Sequence, residues 1–417
     1  MPGSKSESSR ALVLAALAGG QSLLTGLSTG RDTNLMMRAL NGLGVAFTRL
    51  PAAGGSTALR VRPSARLHPV PAGIDCGLAG TVMRFVPAVA ALARGRTAFF
   101  GDPRATERPI APLLTALAQL GVRASGSRLP FTLTAPGRLG GPEVTIDASA
   151  SSQFVSALLL LAPRLPNGIR LRHVGMHLPS LPHIQMTVTM LRARGVRVDD
   201  SLPGQWLVTP GPIAALDQPI QPDLTNAAVF LAAGVLSGGR VGIPGWPRQT
   251  DQPGDHFRDI LRLMGARVEF TGDVLFASGT GPLRGASLDL SRASELTPVV
   301  AALAGFASGT TTITGIGHIR GHETDRLTAI AAELGSLGVP IRETSDGLVI
   351  SGRPANRLRP ARTLHSHGDH RLAHLAALTG LLVPGVRLDD IGCVAKTMPD
   401  FTERWQAMLD QSIGPAR

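Results

Sequence analysis

The sequence predicts a mixed α/β protein of two domains, and three observations predict it. The chain has 417 residues, enough for two or three domains of ordinary size. A pattern with a period of roughly 70 residues recurs along it, the mark of an internally repeated architecture. Within each repeat, Ala/Leu-rich stretches alternate with short β-like runs, as layered helices and sheets require.

Each repeat opens with an apolar stretch long enough for two or three helical turns, at 11–18, 86–93, 154–162, 227–235, 299–307 and 372–382. Glycine follows within a few residues, at Gly19, Gly95, Gly168, Gly238, Gly309 and Gly385. Glycine there ends a helix without strain. β-like runs come next, such as 169–174, 311–316 and 386–391. A second, amphipathic stretch ends at Gly44-Val45, Gly121-Val122, Gly195-Val196, Gly265-Ala266 and Gly338-Val339. Successive glycines of this set are 77, 74, 70 and 73 residues apart. Ala-rich helices can look alike by chance, but chance does not set five stops at near-constant spacing. The sixth repeat runs out at 401–409. The period is too long for a thin solenoid and holds a helix–strand–strand–helix–strand block. Six blocks predict two domains of three, over 1–215 and 216–417. The Pro-bearing segment 211–222 reads as the hinge. Ligands commonly bind between domains.

Hydrophobic residues make up 43% of the chain and aromatics only 4%, so the cores are built from Ala, Leu and Val. The formal net charge is +12. That balance suits acidic substrates or nucleic acid, and equally an Arg-rich background composition. The basic charge is scattered as single Arg residues, without a stripe interleaved with aromatics, which argues against nucleic-acid binding. Cys76 and Cys393 lie too far apart to suggest a disulfide framework or a metal set, and two thiols fit a reducing cytoplasm. Lys5 and Arg10 before the apolar run 11–18 mimic a signal peptide, but the same run recurs inside the chain. No segment reaches the ~18 uninterrupted apolar residues of a membrane span. A monomer is expected.

Polar residues gather at two points of each repeat. Those before the first helix are Lys5-Ser6 with Arg10, Gly80-Thr81 with Arg84, Ser151-Ser152-Gln153, Asn226, Glu295, and Asp369-His370-Arg371. Those in the loop to the second helix are Asp32, Arg108, Ser180, His322-Glu323 with Arg326, and Lys396. Helix N-termini attract phosphate and carboxylate, although a single Ser there is more simply a cap. Two hydroxyls and an amide standing together at 151–153 suit a sugar- or phosphate-bearing ligand, and Arg adds bidentate anion recognition. The chain holds two lysines among 41 basic residues, Lys5 and Lys396. Arg does not replace Lys where a compact, deprotonatable charge is needed. Glu295 and Glu323 are candidate acid/base groups. Glu323 also suits a plain i,i+3 pair with Arg326, and His370 a structural role.

Pro2-Gly3-Ser4-Lys5-Ser6 with Arg10, Ala79-Gly80-Thr81-Val82-Met83-Arg84 and Glu107-Arg108-Pro109-Ile110 together resemble the 5-enolpyruvylshikimate-3-phosphate synthase family. So do Ser151-Ser152-Gln153-Phe154, Glu323-Thr324-Asp325-Arg326-Leu327, Asp369-His370-Arg371 and Ala395-Lys396-Thr397-Met398-Pro399-Asp400. The motifs run in order over nearly the whole chain. The resemblance implies a two-domain inside-out α/β barrel, each domain made of three βαβαββ repeats. It implies transfer of the enolpyruvyl group of phosphoenolpyruvate to the 5-hydroxyl of shikimate 3-phosphate, with release of phosphate, a step of chorismate and aromatic amino acid biosynthesis. It implies no metal and no organic cofactor. Shikimate 3-phosphate falls to Lys5, Ser6, Arg10, Ser151, Ser152, Gln153, Ser180, Glu295 and His322. Phosphoenolpyruvate falls to Lys5, Gly80, Arg108, Gln153, Arg326, Arg371 and Lys396. The catalytic set is Lys5, Glu295, Glu323, His370 and Lys396, with Glu295 taking the hydroxyl proton and Glu323 helping to protonate C3.

Some positions depart from the commonest family pattern. Glu295 stands for Asp and His322 for Lys, a pairing similar to that of actinobacterial members. Leu78, Ser9 and His183 stand for Asn, Asn and Tyr. Gly80 keeps room beside phosphoenolpyruvate, as in members open to the inhibitor glyphosate. Members carry a strand before the PGSK motif, packed into the other domain, so one interdomain crossing is expected to be missing or to lie upstream. Three other readings compete: a UDP-N-acetylglucosamine enolpyruvyl transferase, a basic RNA-interacting protein on a similar repeat, and an inactive paralogue shortened at its N-terminus. The first needs a Cys in its nucleophile-bearing loop and Lys-Asn at its opening; this chain has Lys5-Ser6, and neither cysteine lies in such a loop.

Overall fold

The computed structural model describes residues 1–51, 57–360 and 362–411. Its contacts divide the chain into two units. The first comprises Gly3–Ser28 and Asp32–Gln221; the second comprises Met1–Pro2, Thr29–Arg31 and Pro222–Arg417. Met1–Pro2 joins the second unit because the Asp223 N–H donates to the Pro2 carbonyl at 2.9 Å. Gly30 joins it because its backbone lies directly on the Lys396 and Thr397 backbone, where a side chain would not fit.

In the first unit, α1 (Lys5–Leu17), α3 (Gly80–Ala90) and α5 (Gln153–Leu161) are the opening helices of three repeats; α2 (Arg31–Gly42), α4 (Ala111–Gln119) and α6 (Leu181–Arg192) are their second helices. α5 is apolar nearly all round, as are α1 after Arg10 and α3 after Arg84, and such helical stretches are stable only when covered on every side. They pack against one another and are buried almost throughout. In the second unit, α7 (Leu224–Leu236), α9 (Thr297–Phe306) and α11 (His370–Gly380) do the same; α8 (Phe257–Leu263), α10 (Arg326–Ser336) and α12 (Phe401–Gln411) follow them. Small Ala side chains let the central helices approach closely, which is how a chain poor in aromatics fills its cores.

Three sheets surround each helix trio among the described residues. Those of the first unit run, in strand order, 218–219, 22–25, 57–62, 46–51; then 74–75, 95–100, 131–135, 123–124; then 143–146, 169–173, 205–208, 198–199. In each, the first pair is parallel and the rest antiparallel. The second unit has a three-stranded antiparallel sheet (240–244, 274–278, 267–271), a four-stranded one led by the parallel pair 287–289 and 310–314, and a two-stranded parallel one (363–364, 387–388). Inward residues alternate as one-sided sheets demand: Phe131, Leu133 and Ala135 are buried and Thr132 and Thr134 less so.

The five glycine stops have one conformation. Gly44, Gly121, Gly195, Gly265 and Gly338 all have φ between +78° and +105°. The N–H that follows each reaches back to the carbonyl five residues earlier: Val45 to Leu40, Val122 to Leu117, Val196 to Leu191, Ala266 to Leu261 and Val339 to Leu334. This is a left-handed helix stop that satisfies otherwise orphaned carbonyls, and a Cβ would oppose it. The repeat read from glycine spacing is thus a repeated backbone device.

Candidate functional site

The polar residues fall into two groups, one in each unit. In the first unit they cluster where α1, α3 and α5 begin. Ser4 caps α1, accepting the Glu7 N–H at 3.3 Å. Lys5 Nζ lies 3.5 Å from the buried Asp32 Oδ2. Ser6 Oγ meets His183 Nε2 at 3.3 Å, and Ser9 Oγ meets Thr81 Oγ1 at 3.1 Å, tying α1 to α6 and α3. Arg10 is 1% exposed and donates to Thr187 Oγ1, Ser156 Oγ and the carbonyls of Ser6 and His183. Burial pulls its pKa down to about 9. With no carboxylate paired to it among the described residues, Arg10 holds α1, α5 and α6 together from inside.

Gly80, the first residue of α3, is the point on which three side chains converge. A Cβ on Gly80 would lie 2.9 Å from Arg84 Nη1, 3.1 Å from Arg108 Nη2 and 3.2 Å from Gln153 Oε1. Arg84 is fixed by the carbonyls of Gly80 and Pro109, and Arg108 by that of Leu78. Two guanidinium groups and an amide at a helix start form an anion cradle in which glycine is the residue that leaves room. Ser151 Oγ accepts the Gln153 N–H at 3.3 Å, so one of the paired hydroxyls serves the turn. Ser152, at the N-cap position of α5, makes no side-chain cap bond and is buried. Ser180 precedes α6 in the left-handed conformation at φ 52°, uncommon for a residue with a Cβ.

In the second unit, Arg326 is the centre. It is the first residue of α10, is fully buried, and is gripped from four directions. Its Nε and Nη2 meet the two oxygens of Asp369 at 2.7 and 3.2 Å. Nη2 also donates to Glu323 Oε2 at 3.0 Å, and Nη1 to Glu295 Oε2 at 2.8 Å, with His322 Nδ1 at 3.1 Å. Lys396 Nζ lies 3.3 Å from the other oxygen of Glu323. Arg371 lies 3.9 Å from Glu295 Oε2 and donates to Asn226 Oδ1 at 3.0 Å. Three carboxylates, Glu295, Glu323 and Asp369, therefore face three cations, Arg326, Arg371 and Lys396. Burial would lower the Arg326 pKa, but the carboxylates outweigh it and hold the guanidinium well above its ordinary range. Burial likewise works to raise Glu295, and Arg326, His322 and Arg371 overcome it, keeping that carboxyl well below the usual range. An anion that engages Arg326 or Arg371 relieves this hold and raises the proton affinity of Glu295.

Burial acts on two of the flanking histidines, His318 and His374. His318 donates to or accepts from Ser294 Oγ at 2.9 Å and packs edge-on against His322. Burial chiefly brings it down to about 4, so it is neutral beside Glu295. His370 is 1% exposed, with Nδ1 3.6 Å from Asp369 Oδ1. His374, one turn on, is fully buried against the Phe401 ring; burial first, then Arg371 and Arg326, keep it neutral.

The EPSP synthase (3-phosphoshikimate 1-carboxyvinyltransferase) family model matches residues 1–405. The chain belongs to the EPSP synthase family. A 3-phosphoshikimate 1-carboxyvinyltransferase from Mycobacterium ulcerans (strain Agy99) is 48% identical, with 99% of this chain and 95% of that protein covered. Among solved structures, an EPSP synthase from Acinetobacter baumannii has a TM-score of 0.76 at 22% identity, covering 98% of this chain and 94% of that one. The enolpyruvyl transferase NikO from Streptomyces tendae has a TM-score of 0.71 at 22% identity, covering 98% and 93%. These two likenesses carry the mixed α/β fold of the EPSP synthase family.

Within that family fold, the first unit gathers Lys5, Ser6, Arg10, Gly80, Arg108, Ser151, Ser152, Gln153 and Ser180, and the second gathers Glu295, His322, Glu323, Arg326, His370, Arg371 and Lys396. Sequence reasoning placed Arg84 and Asp369 among the polar groups at helix starts without assigning either a substrate or a catalytic part, and it did not single out His318. Arg84 was findable, one turn after Gly80 on one helix face. Asp369 sits in the Asp369-His370-Arg371 motif, but its grip on Arg326 spans 43 residues. His318 had only its i,i+4 spacing to His322 as a signal. The plain i,i+3 pair of Glu323 with Arg326 forms as well, alongside the contact to Lys396. None of the described helices is long and apolar enough to cross a membrane.

Proposed function

We propose that this chain transfers the enolpyruvyl group of phosphoenolpyruvate to the 5-hydroxyl of shikimate 3-phosphate and releases inorganic phosphate. The observation that carries the reading is the 48% identity to a 3-phosphoshikimate 1-carboxyvinyltransferase over 99% of this chain. That coverage leaves neither group of residues outside the likeness. The two groups supply what such a reaction needs: cations for phosphate and carboxylate, and carboxylates that exchange protons.

In this reading, the hydroxyl oxygen adds to C2 of phosphoenolpyruvate, its proton passes to Glu295, and C3 takes a proton with help from Glu323. The Lys396–Glu323 contact gives that proton a route. C3 of the tetrahedral adduct then gives up a proton as the C2–phosphate bond breaks, restoring the double bond in the product. Arg84, Arg108, Arg326, Arg371, Lys5 and Lys396 stabilise the charge that builds on phosphate and carboxylate. Gln153, Ser6, Ser151, Ser152, Ser180 and His322 orient the hydroxylated ring. The proposed setting is the cytoplasm, which two free cysteines suit, and the proposed state is a monomer.

The test is product analysis after incubation with both substrates: an enolpyruvyl ether formed one-to-one with phosphate. A folded chain that yields phosphate without the ether refutes the reading. The cradle makes a sharper prediction. Gly80→Ala places a methyl among the movable ends of Arg84, Arg108 and Gln153. Those ends can yield, so Tm is expected to hold within about 2 °C. The guanidinium groups shift, and KM for phosphoenolpyruvate is expected to rise about tenfold or more, roughly 1.4 kcal/mol.

A further inference from the structure

We infer that Glu333 is a positioning residue for the phosphoenolpyruvate-binding end of the second unit, acting through the loop 365–368; this rests on the reading just proposed. Glu333 lies on α10, seven residues and two turns after Arg326, roughly 10 Å along the helix. Its side chain is 7% exposed, and both of its oxygens are engaged by one loop. Oε1 meets His367 Nε2 at 2.8 Å, and Oε2 accepts the His365 N–H at 3.0 Å.

That loop is held in a conformation it would not choose alone. His367 has φ 52°, left-handed, where a Cβ is disfavoured. Asp389 grips the other side, accepting the Ser366 N–H at 2.8 Å and meeting His365 Nδ1 at 3.0 Å. Ser366 is 1% exposed, and its carbonyl accepts the Asp369 N–H at 2.8 Å. The loop therefore delivers Asp369, and Asp369 does two things. It binds Arg326 through both oxygens, and it accepts the Arg371 N–H at 2.8 Å, setting the first turn of α11.

α10 and the 365–369 segment are thus clamped at two points. At one, Asp369 holds Arg326; at the other, Glu333 holds His365 and His367. A single bidentate pair fixes distance and in-plane orientation but leaves tilt about the line of its two bonds. A second contact two turns away removes that tilt, which is what keeps Arg326 and Arg371 in one mutual geometry. Glu333 touches neither group of site residues directly, and the reaction gives it no part of its own.

The experiment is steady-state kinetics of the full chain carrying Glu333→Ala, Glu333→Gln or His367→Asn, with Tm measured beside each. Glu333→Ala is expected to raise KM for phosphoenolpyruvate about tenfold while KM for shikimate 3-phosphate moves less than about twofold. Glu333→Gln is expected to restore KM to within about threefold of the parent. Its carboxamide oxygen accepts the His365 N–H, and its NH₂ lies within reach of the His367 ring nitrogen. His367→Asn tolerates the left-handed backbone but is too short to reach Glu333, so it is expected to reproduce the direction of the Glu333→Ala effect; it carries the test if Glu333→Ala does not fold. Unchanged constants overturn the inference. So do two KM values that rise together, or a Glu333→Gln no better than Glu333→Ala. A parent chain that is folded but silent removes the proposed function and this inference with it. An active parent with flat variants removes this inference alone.

Discussion

Arg326→Met is expected to abolish measurable turnover, a loss of about 10³-fold or more, and to destabilise the second unit. The reason is local and electrostatic. Glu295, Glu323 and Asp369 share this one fully buried guanidinium. Methionine fills the volume but leaves buried Asp369 without the guanidinium that binds both its oxygens, and Glu295 and Glu323 with only the weaker hold of Arg371, His322 and Lys396. Breaking a buried pair by removing one partner costs about 3–5 kcal/mol, which corresponds to a Tm lowered by about 10 °C. The pH dependence gives the sign. Arg326 helps hold the folded-state pKa of Glu295 well below its ordinary 4.5. Such a group contributes stability above the unfolded pKa and loses it as pH falls through the folded one. The gap in Tm between parent and variant is therefore expected to be full above about pH 5 and to narrow in more acid solution. A gap that widens on acidification contradicts this account of Arg326.

Lys396→Met is the second large effect, and it separates catalysis from stability. Lys396 is 8% exposed and pairs with Glu323, but Glu323 keeps Arg326 when the ammonium is gone. The fold is expected to survive with a Tm a few degrees lower at most, while kcat falls about 10²- to 10³-fold. Lys396→Arg is expected to recover little. A guanidinium is bulkier, is planar and does not release its proton near neutral pH. Circular dichroism with single-turnover phosphate release distinguishes the outcomes. If Lys396→Arg works as well as the parent, Lys396 serves as a simple positive charge and the proton route through Glu323 is wrong.

What was legible in the sequence is what local backbone chemistry dictates. The five glycine stops could be found because a left-handed residue at a helix end favours glycine wherever it occurs. The all-round apolar stretches could be found because α5, α7 and α9 show no charged face. Lys5 and Lys396 stood out because the chain has no other lysine. The partnerships were not legible. Arg326 takes its carboxylates from positions 31 residues before and 43 after it, and no periodicity announces such pairs. The four protein acceptors of the Arg10 guanidinium were not legible either, among them Thr187 at a separation of 177 residues. Glu333 showed only as one helical residue among others, because its importance lies in a loop whose strain depends on a backbone angle.

The proposed transfer consumes two anionic substrates, and Lys5 and Lys396 are each expected to be needed for it. Phosphate release tests it most directly, measured for the parent chain, for Lys5→Met in the first unit and for Lys396→Met in the second. The account predicts release from the parent only when shikimate 3-phosphate and phosphoenolpyruvate are both present, and a collapse of that release in each variant while both remain folded. Release from phosphoenolpyruvate alone at the same rate, or near-normal turnover in the folded Lys5→Met chain, would contradict it.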